Sequence, residues 1–402
     1  MDNNHLYFHD PQQIMSPVHH DTKPPPFAAA AALPFEQPAS DDSSTAVVVD
    51  QVAQAAKLAE SGDLFAARQI LNRPPHRLPA AATPLLRSAF YFNDALRAAL
   101  SSSSPPPAAS TPVDVLLKLT AYKAFSDASP VLRFAHFTCV QALLDELASS
   151  SATCIHVLDF DIAVGDQWAS LMHDLAHRRQ HAAFKLTALV TTASHHPLEL
   201  HLLHHTLSTL AADLGVPFRF AVFNLDATDL TALLSLAAAG DAIAVRLPVG
   251  SVHASVLHLL RRLGARLVVS VDRGWWCERG ELPFAAHIMQ ALQSTAFLLD
   301  SLDAVGTDSD VAAKIERFWV RPRIDDCVRA ATAGCGEKTA AWRATLASAG
   351  FVPVQVSGLA EAQAESLLKK MAVRGFRLER RGGSLFLHWQ RGLLASVSAW
   401  RC

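Results

Sequence analysis

The stretch IHVLDFDIAVGDQW, residues 155–168, identifies the fold class of this chain. Apolar residues surround Asp159, a pattern that predicts a buried parallel strand ending in a carboxylate. Gly165 then permits a tight turn, and an apolar helical run begins at Trp168. A strand, an acid at its carboxyl end and a glycine-containing turn into a helix form the ligand corner of a doubly wound α/β sheet.

The same turn lacks the other features of a cofactor site. It reads DIAVG (residues 161–165), with one glycine, whereas close approach of the backbone to a phosphate needs a second and a third. In a methyltransferase-type sheet a second acid normally follows strand two, but residues 189–192 read LVTT. We therefore predict no bound cofactor, and we expect Asp159 to cap the next helix or to accept a hydrogen bond from a loop amide.

The elements before and after this corner differ in kind. Up to about residue 147, leucines and alanines recur at helical spacing and predict an all-helical block. After residue 155, short β-rich runs alternate with helical ones, which predicts parallel strands joined by right-handed crossovers. The five predicted strands are residues 155–160, 185–190, 218–223, 242–248 and 266–271, and the predicted helices between them are residues 168–177, 197–214, 230–238 and 251–263.

The C-terminal region predicts a different kind of strand pairing. FRLERRGGSLFLHW (residues 376–389) and LLASVSAW (residues 393–400) are typical of antiparallel strands, with Gly382 and Gly383 at a hairpin turn. The predicted fold class is therefore α/β: a Rossmann-like, methyltransferase-type sheet with an N-terminal α-helical cap and a C-terminal antiparallel hairpin.

Composition limits the classes of function. Half of the 402 residues are hydrophobic and 18% are charged, so the chain can bury a large core. Its net charge is −2, whereas a protein that binds DNA by itself usually has a basic domain or stripe. We interpret the densest basic run, Arg374, Arg377, Arg380 and Arg381, as a solvated edge of the hairpin. Six cysteines without C-x-x-C spacing, no signal-like N-terminus and no membrane-spanning run indicate a cytosolic or nuclear protein.

No pattern makes a case for catalysis or metal binding. His201 and His205 are spaced i, i+4 on a predicted helix, but no glutamate lies between them, and we interpret them as a solvated face. The sequence contains no G-x-S-x-G elbow and no phosphate-binding G-x-x-x-x-G-K-[ST] loop. His156, inside the first strand, is expected to donate a core hydrogen bond. Trp275 and Trp276 keep two interpretations, as exposed interface anchors or as core residues.

The segment around Asp159 resembles the VHIID signature of the GRAS family of plant transcriptional regulators. IHVLD (residues 155–159) stands for V-H-I-I-D, and the G-x-Q-W that follows is matched at residues 165–168. IERFWVRP (residues 315–322) is similar to the family's R-V-E-R block, and the chain ends in the family's SAW signature. The resemblance covers about residues 46–402 and is strongest to the hairy meristem, or scarecrow-like, subgroup. The motif residues, for which it implies a structural role, are Ile155, His156, Val157, Leu158, Asp159, Gly165, Gln167, Trp168, Arg317, Trp389, Ser398, Ala399 and Trp400.

This resemblance implies a nuclear regulator in plant development and meristem maintenance that is not an enzyme. Its partners would be transcription factors of the homeodomain class and other GRAS proteins, in homodimers or heterodimers, bound through the leucine-rich helices of residues 48–147. Contact with DNA would be mostly indirect, with no cofactor, no metal and no membrane involved. Two alternatives are an S-adenosylmethionine-dependent methyltransferase that uses a pocket above Asp159, and a direct sequence-specific DNA-binding factor.

The predicted domain organisation has two parts. Residues 1–45 combine His, Pro, Gln, Ser and Asp with few periodic apolar positions, which predicts a disordered tail. Residues 46–402 would form the GRAS domain, with a helical cap at 46–150 and an α/β core at 151–402. The segment ILNRPPH (residues 70–76) departs from the family pattern, because its prolines should end a helix early.

Overall fold

The apolar run before Asp159 forms a strand at the centre of a large sheet. The computed structural model describes residues 42–73, 78–79, 81–101, 111–147, 152–178, 182–191, 194–226, 228–272, 282–333 and 341–402. By its contacts, the segment Ser43–Cys402 forms one compact unit, to which the sheet belongs. No helix of the described segments has the length and the apolar character needed to cross a bilayer.

Helices precede the sheet, as the sequence predicts. They are α1 (Asp42–Glu60), α2 (Leu64–Leu71), α3 (Pro84–Leu100), α4 (Pro112–Ala128) and α5 (Pro130–Leu147). Helices α3 and α4 each start with a proline after a threonine, Thr83 and Thr111, whose hydroxyl accepts a hydrogen bond from a backbone N–H of the first turn. Helix α1 begins six residues before Val48, where the apolar pattern starts, and α2 ends before the proline pair at residues 74–75.

The sheet contains nine strands in the described part of the chain. They are β1 (Cys154–Asp159), β2 (Ala183–Val190), β3 (Phe218–Asn224), β4 (Asp241–Pro248), β5 (Leu267–Asp272), β6 (Val352–Val354), β7 (Phe376–Arg381), β8 (Ser384–Trp389) and β9 (Gly392–Arg401). Their order is β3-β2-β1-β4-β5-β9-β8-β7, and β6 also pairs with β9. Strands β1 to β5 are parallel, and β9 joins β5 in the antiparallel sense. Gly382 and Gly383 form the β7–β8 turn with positive φ angles of 55° and 83°, so the predicted α/β class and hairpin are confirmed.

Further helices cover both faces of the sheet. They are α6 (Asp166–His177), α7 (Pro197–Leu214), α8 (Ala254–Arg262), α9 (Phe284–Val305), α10 (Ser309–Ile315), α11 (Arg321–Ala333), α12 (Trp342–Ser348) and α13 (Gly358–Lys369). The segment 230–238, predicted as an α-helix, forms a 3₁₀ helix over Leu230–Leu236. A π-helical turn at Glu316–Val320 joins α10 to α11. The sequence prediction missed β6, because a three-residue strand containing a proline carries almost no pattern, and α13, because its buried face contains mainly alanine.

Alternation along the strands divides the core between the two faces of the sheet. Ile155 and Val157 of β1 point into a large apolar cluster that includes helices α1 to α3, α5 to α7, α9 and α13. Leu158 points the other way, into a second cluster with α8, α12 and Trp400. All the β1 side chains from Ile155 to Asp159 are buried, as expected for a strand covered on both faces.

Candidate functional site

Asp159 lies at the carboxyl end of β1 and is completely buried. Its Oδ1 accepts a hydrogen bond from the backbone N–H of Asp161 at 2.9 Å. Its Oδ2 accepts from Gln167 Nε2 at 3.0 Å and from Trp168 Nε1 at 2.8 Å. Of the two roles expected for Asp159, the hydrogen bond from a loop amide is present, because the Asp161 N–H donates to it. The other role is not seen, because the N-cap residue of α6 is Gly165 and no side chain caps this helix. The carboxylate therefore connects the strand, the turn and the first turn of α6.

Arg246 completes this corner and was not singled out from the sequence. It lies directly opposite Asp159 in the β1–β4 register, is 2% exposed, and places Nη1 3.0 Å from Asp159 Oδ1. Nη1 also donates to the backbone carbonyl of Asp161, and Nη2 lies 3.5 Å from Asp161 Oδ2. Burial alone would lower the pKa of Arg246, but the neighbouring carboxylates of Asp159 and Asp161 outweigh it and raise the pKa above its usual value. One arginine in the apolar run AIAVRLP (residues 242–248) was the available signal.

Gly165 is required by both backbone conformation and packing. Its φ is +79°, in the left-handed region that glycine favours. A Cβ at this position would lie 2.4 Å from Leu203 Cδ1 and 3.3 Å from Leu207 Cδ1, both on α7. The missing side chain thus makes room for a neighbouring helix, not for the phosphate of a nucleotide.

Helix α5, which precedes β1 in the chain, packs against α6 and β4 near the same corner. Cys139 of α5 is completely buried, and burial raises the pKa of its thiol to about 12. Asp159 raises this pKa further while Arg246 lowers it, so the thiol lies near the ion pair. A buried thiol with a raised pKa stays protonated and is a poor nucleophile.

His156 lies inside β1 as the sequence predicts, with its ring completely buried. Its Nε2 is 2.9 Å from Thr187 Oγ1 on β2, and its Nδ1 is 3.5 Å from Asp241 Oδ2 on β4. Burial and the charge of Lys185 lower the pKa of His156 to about 4, although Asp241 acts in the opposite direction. The imidazole is therefore neutral near pH 7.

The R-V-E-R-like block places Glu316 and Arg317 in different environments. Arg317 is exposed, and its guanidinium lies 5.1 Å from the ring centroid of Phe318. Glu316 is buried in the π-helical turn, where it accepts hydrogen bonds from Arg87 Nη1 at 2.6 Å and from the hydroxyl of Tyr91. Glu316, which was not selected from the sequence, thus joins α3 to the α10–α11 segment. A π-helical turn is rare and is frequently found at functional sites.

The SAW signature lies on β9, away from Asp159. Trp400 is 2% exposed, and its Nε1 donates to Ser398 Oγ at 3.0 Å. Ala399 pairs with Val269 of β5 on one side of β9. Trp389, at the end of β8, donates from Nε1 to Asp300 Oδ2 of α9 at 2.6 Å. All three tryptophans of the motifs, Trp168 included, are core residues as expected.

The structure brings together only part of the predicted motif set. Asp159, Gly165, Gln167 and Trp168 meet at the β1–α6 corner, and His156 lies three residues before it in the same strand. Arg317 lies in the π-helical turn between α10 and α11, and the SAW residues lie on β9, so the motifs do not converge on one pocket.

Histidine-rich segments form no metal centre in the described residues. No group of three or more His, Cys, Asp or Glu side chains there has the arrangement of a metal site. His201 and His205 are exposed on α7, and the ring of His204 stacks on Phe220 with centroids 5.2 Å apart. The pair Trp275 and Trp276 lies outside the described residues.

The residues at the corner do not fit a nucleotide-type cofactor. The carboxylate of Asp159, which would hold polar groups of such a ligand, already accepts four hydrogen bonds from the protein. The space next to Gly165 contains Leu203, and Arg246 occupies the position beside the acid. An acid whose acceptor positions are all used by the protein has none left for a ligand.

Comparison with known proteins assigns the family. The GRAS domain family model matches residues 48–401. The chain belongs to the GRAS domain family. The match confirms the resemblance that rests on residues 155–168 and on the SAW signature. Because this family consists of plant transcriptional regulators, membership supports a role in plant transcriptional regulation. The family resemblance also gives no support for an enzyme.

The chain is similar to several curated plant proteins. It is 36% identical over 362 residues to Scarecrow-like protein 6 of Arabidopsis thaliana, covering 88% of this chain and 63% of that protein. It is 35% identical to Scarecrow-like protein 27 of the same plant, covering 89% and 59%. It is 30% identical to Protein NODULATION SIGNALING PATHWAY 2 of Lotus japonicus, covering 80% and 68%. The chain thus spans about three-fifths of the length of the two Scarecrow-like relatives.

A solved structure has the same architecture. The crystal structure of SCL7 in Oryza sativa superposes with a TM-score of 0.67 at 27% identity, covering 88% of this chain and 99% of that chain. This similarity confirms the predicted α/β, Rossmann-like fold class.

Proposed function

We propose that this GRAS-domain chain is a nuclear transcriptional regulator that acts by binding DNA-binding transcription factors, without catalysis. Family membership and the similarity to Scarecrow-like and nodulation signalling proteins support a role in plant development. The similarity to the hairy meristem subgroup motivates the narrower proposal of meristem maintenance. The buried, fully hydrogen-bonded Asp159 argues against a methyltransferase, because the acid has no acceptor position left for a cofactor.

The distribution of exposed apolar side chains carries the proposal. Of the ten large hydrophobic side chains that are exposed among the described residues, six lie on helices α1 to α5. These six are Val47, Leu64, Phe65, Val113, Leu116 and Phe137. Large apolar side chains that stay exposed can serve as contact points for a protein partner. The helical cap is therefore the surface that we assign to partner proteins.

We infer the proposed partners from the apolar side chains of that surface and from the family resemblance. Transcription factors of the homeodomain class and other GRAS proteins would dock on the cap, in homodimers or heterodimers. Direct DNA binding is ranked lower, because the net charge is −2 and the arginines of β7 are partly neutralised. Arg380 lies 2.7 Å from Glu361, and Arg377 lies 3.6 Å from Glu379.

The proposed domain division places the cap and core in one GRAS domain. Residues 1–45 would form a tail, residues 46–150 the helical cap and residues 151–402 the α/β core. The family match at residues 48–401 and the apolar cluster shared by the cap helices and the sheet support this division.

A capture experiment with matched variants tests the proposed docking surface. The full chain would be co-expressed with a panel of homeodomain transcription factors and tested as wild type, Phe65→Asp, Leu116→Asp and Val222→Asp. Val222 is 47% exposed on β3, outside the cap, and serves as the matched control. We expect capture to fall in the two cap variants and to persist in the control. Equal capture by all four proteins would refute docking on the cap.

Calorimetry tests the claim that the chain is not a methyltransferase. Purified wild-type protein would be titrated with S-adenosylmethionine and with its demethylated product. We expect no heat of binding up to millimolar ligand. Micromolar binding of either compound would overturn the non-enzymatic proposal and favour the methyltransferase alternative.

A further inference from the structure

A groove runs along the outer side of α5 between two neighbouring helices. Helix α5 contacts α6 on one side and α13 on the other. The space between them forms a cavity of about 290 Å³. Its lining includes Phe137, Val140, Gln141, His173, Asp174 and Gln363, and we refer to it as the α5 groove.

The floor of the α5 groove presents an exposed aromatic side chain. Phe137 is 37% exposed, whereas Phe134 one turn earlier is completely buried and Val140 is 4% exposed. Burying apolar surface stabilises a complex, so an exposed ring within a concave site favours an apolar partner group.

The walls of the groove are already held in place. Gln141 is 3% exposed and donates from Nε2 to Asp145 Oδ1 at 2.6 Å. It also accepts a hydrogen bond from Gln363 Nε2 at 3.2 Å, which links α5 to α13 across the groove. A preformed site lowers the cost of ordering on binding.

Two acidic side chains lie at the groove. Asp174 of α6 is part of its lining and forms no ion pair with the described residues. Asp145 receives its hydrogen bond from the neutral amide of Gln141. The arginine on the first turn of α5, Arg133, is directed elsewhere, with Nε donating to the carbonyl of Ser126 at 2.7 Å. The rim therefore complements a cationic partner.

We propose that the α5 groove binds an amphipathic helical segment of a partner protein, whose apolar side chain covers Phe137 and whose lysine or arginine pairs with Asp174. A helix laid into a groove with apolar contacts at i, i+3 or i+4 is a recurrent mode of peptide recognition. This inference rests on the proposed function as a protein-binding regulator, and it specifies one site and the chemistry of its partner.

Selection from a peptide library tests the groove with the full-length chain. The probe is a phage-displayed library of 16-residue helix-forming peptides with random positions, selected against the wild-type protein, and the binders are then measured by fluorescence anisotropy. We expect selected peptides to combine apolar residues at i, i+3 or i+4 with flanking lysine or arginine. Phe137→Asp should weaken their binding about tenfold or more. Asp174→Lys should weaken it about fivefold and, in its own selection, should favour acidic peptides.

Matched variants and a folding measurement distinguish a loss of binding from misfolding of the variant. Ser170→Arg fills the groove from the α6 wall without touching its apolar floor, and it should also weaken binding. Val222→Asp on β3 lies outside both the cap and the groove and should leave peptide binding unchanged. Circular dichroism melting would confirm that each variant is folded. The proposal would be overturned if no binder is selected, or if the binders selected on the wild type are acidic or uncharged. It would also be overturned if Phe137→Asp and Ser170→Arg bind the selected peptides as tightly as the wild type does.

Two measurements distinguish this inference from the proposed function and from other occupants. Loss of transcription-factor capture in Phe65→Asp or Leu116→Asp, together with full capture in Phe137→Asp, would refute the groove and leave cap docking intact. Capture unchanged in all three variants would refute cap docking itself. Light scattering would show whether Phe137→Asp turns a dimer into a monomer, and such a change would overturn the proposal by assigning the groove to a second copy of the chain.

Discussion

Removing Arg246 should destabilise the protein strongly, because its guanidinium is the only cationic partner of the completely buried Asp159 among the described residues. In Arg246→Met the carboxylate keeps three neutral donors, from the Asp161 amide, Gln167 and Trp168, but loses its counter-charge. Breaking a buried ion pair from one side costs about 3–5 kcal/mol, and we expect a loss of that size in the free energy of unfolding.

A double-mutant cycle isolates the interaction of the pair. Asp159→Asn removes the charge but turns an amide N–H₂ towards the arginine or the loop amide, so it should also be costly. The double variant Asp159→Asn/Arg246→Met contains no completely buried charge at this corner, because Asp161 is partly exposed. Its loss should be smaller than the sum of the two single losses by about 2 kcal/mol or more.

Urea unfolding followed by tryptophan fluorescence measures these differences as shifts in midpoint at constant slope. Arg219→Met is the matched control, because Arg219 is an exposed arginine on strand β3, and it should change stability by less than about 0.5 kcal/mol. A loss below about 1 kcal/mol for Arg246→Met, or additivity in the cycle, would refute the view that this ion pair holds the corner.

Three other perturbations have outcomes set by single contacts. Gly165→Ala should lower the free energy of unfolding by about 2–4 kcal/mol, because φ is +79° and the new Cβ would lie 2.4 Å from a leucine of α7. Gly62→Ala, with φ +87° and open space around it, should cost about 1 kcal/mol in the same urea assay. Equal losses in the two variants would contradict the packing argument. The pKa of His156, lowered to about 4, means that the unfolded chain binds an extra proton between pH 4 and about 6.5, so this residue's contribution to stability should fall by about 2 kcal/mol from pH 7 to pH 5. His156→Gln should therefore show a flatter decline over that range, and an unchanged decline would disprove the assignment. Trp389→Phe removes the 2.6 Å hydrogen bond to α9 and should lower stability by about 1–3 kcal/mol in thermal unfolding, whereas an unchanged melting temperature would show that the bond is dispensable.

Local pattern was sufficient for much of the fold. Strand β1 was predicted as residues 155–160 and runs over Cys154–Asp159, and α7 was predicted at its observed bounds, Pro197–Leu214. Both elements have strong apolar runs with clear ends, a proline at the start of the helix and a glycine, Gly215, at its end. Elements without such signals, β6 and the π-helical turn, were missed because neighbouring packing, not their own residues, decides them.

The candidate site was predicted in part for the same reason. Asp159, Gly165, Gln167 and Trp168 lie within ten consecutive residues, so their meeting at one corner follows from a strand, a turn and a helix. Arg246 lies 87 residues further along the chain and reaches Asp159 only through the parallel register of β1 and β4. A pattern within one element carries no information about such register.

By itself, the sequence determined the alternation of strands and helices, the single-glycine turn after β1 and the family to which the chain belongs. Periodicity and turn residues act within a few residues, so they can be read without knowledge of the rest of the molecule. Only the tertiary structure decided that the acid of the corner is neutralised by Arg246, that Glu316 rather than Arg317 is the buried charge of its block, and that α6 and α13 enclose Phe137 in a groove. Each of these depends on segments far apart in the chain, whose contacts are set by the burial of the shared core.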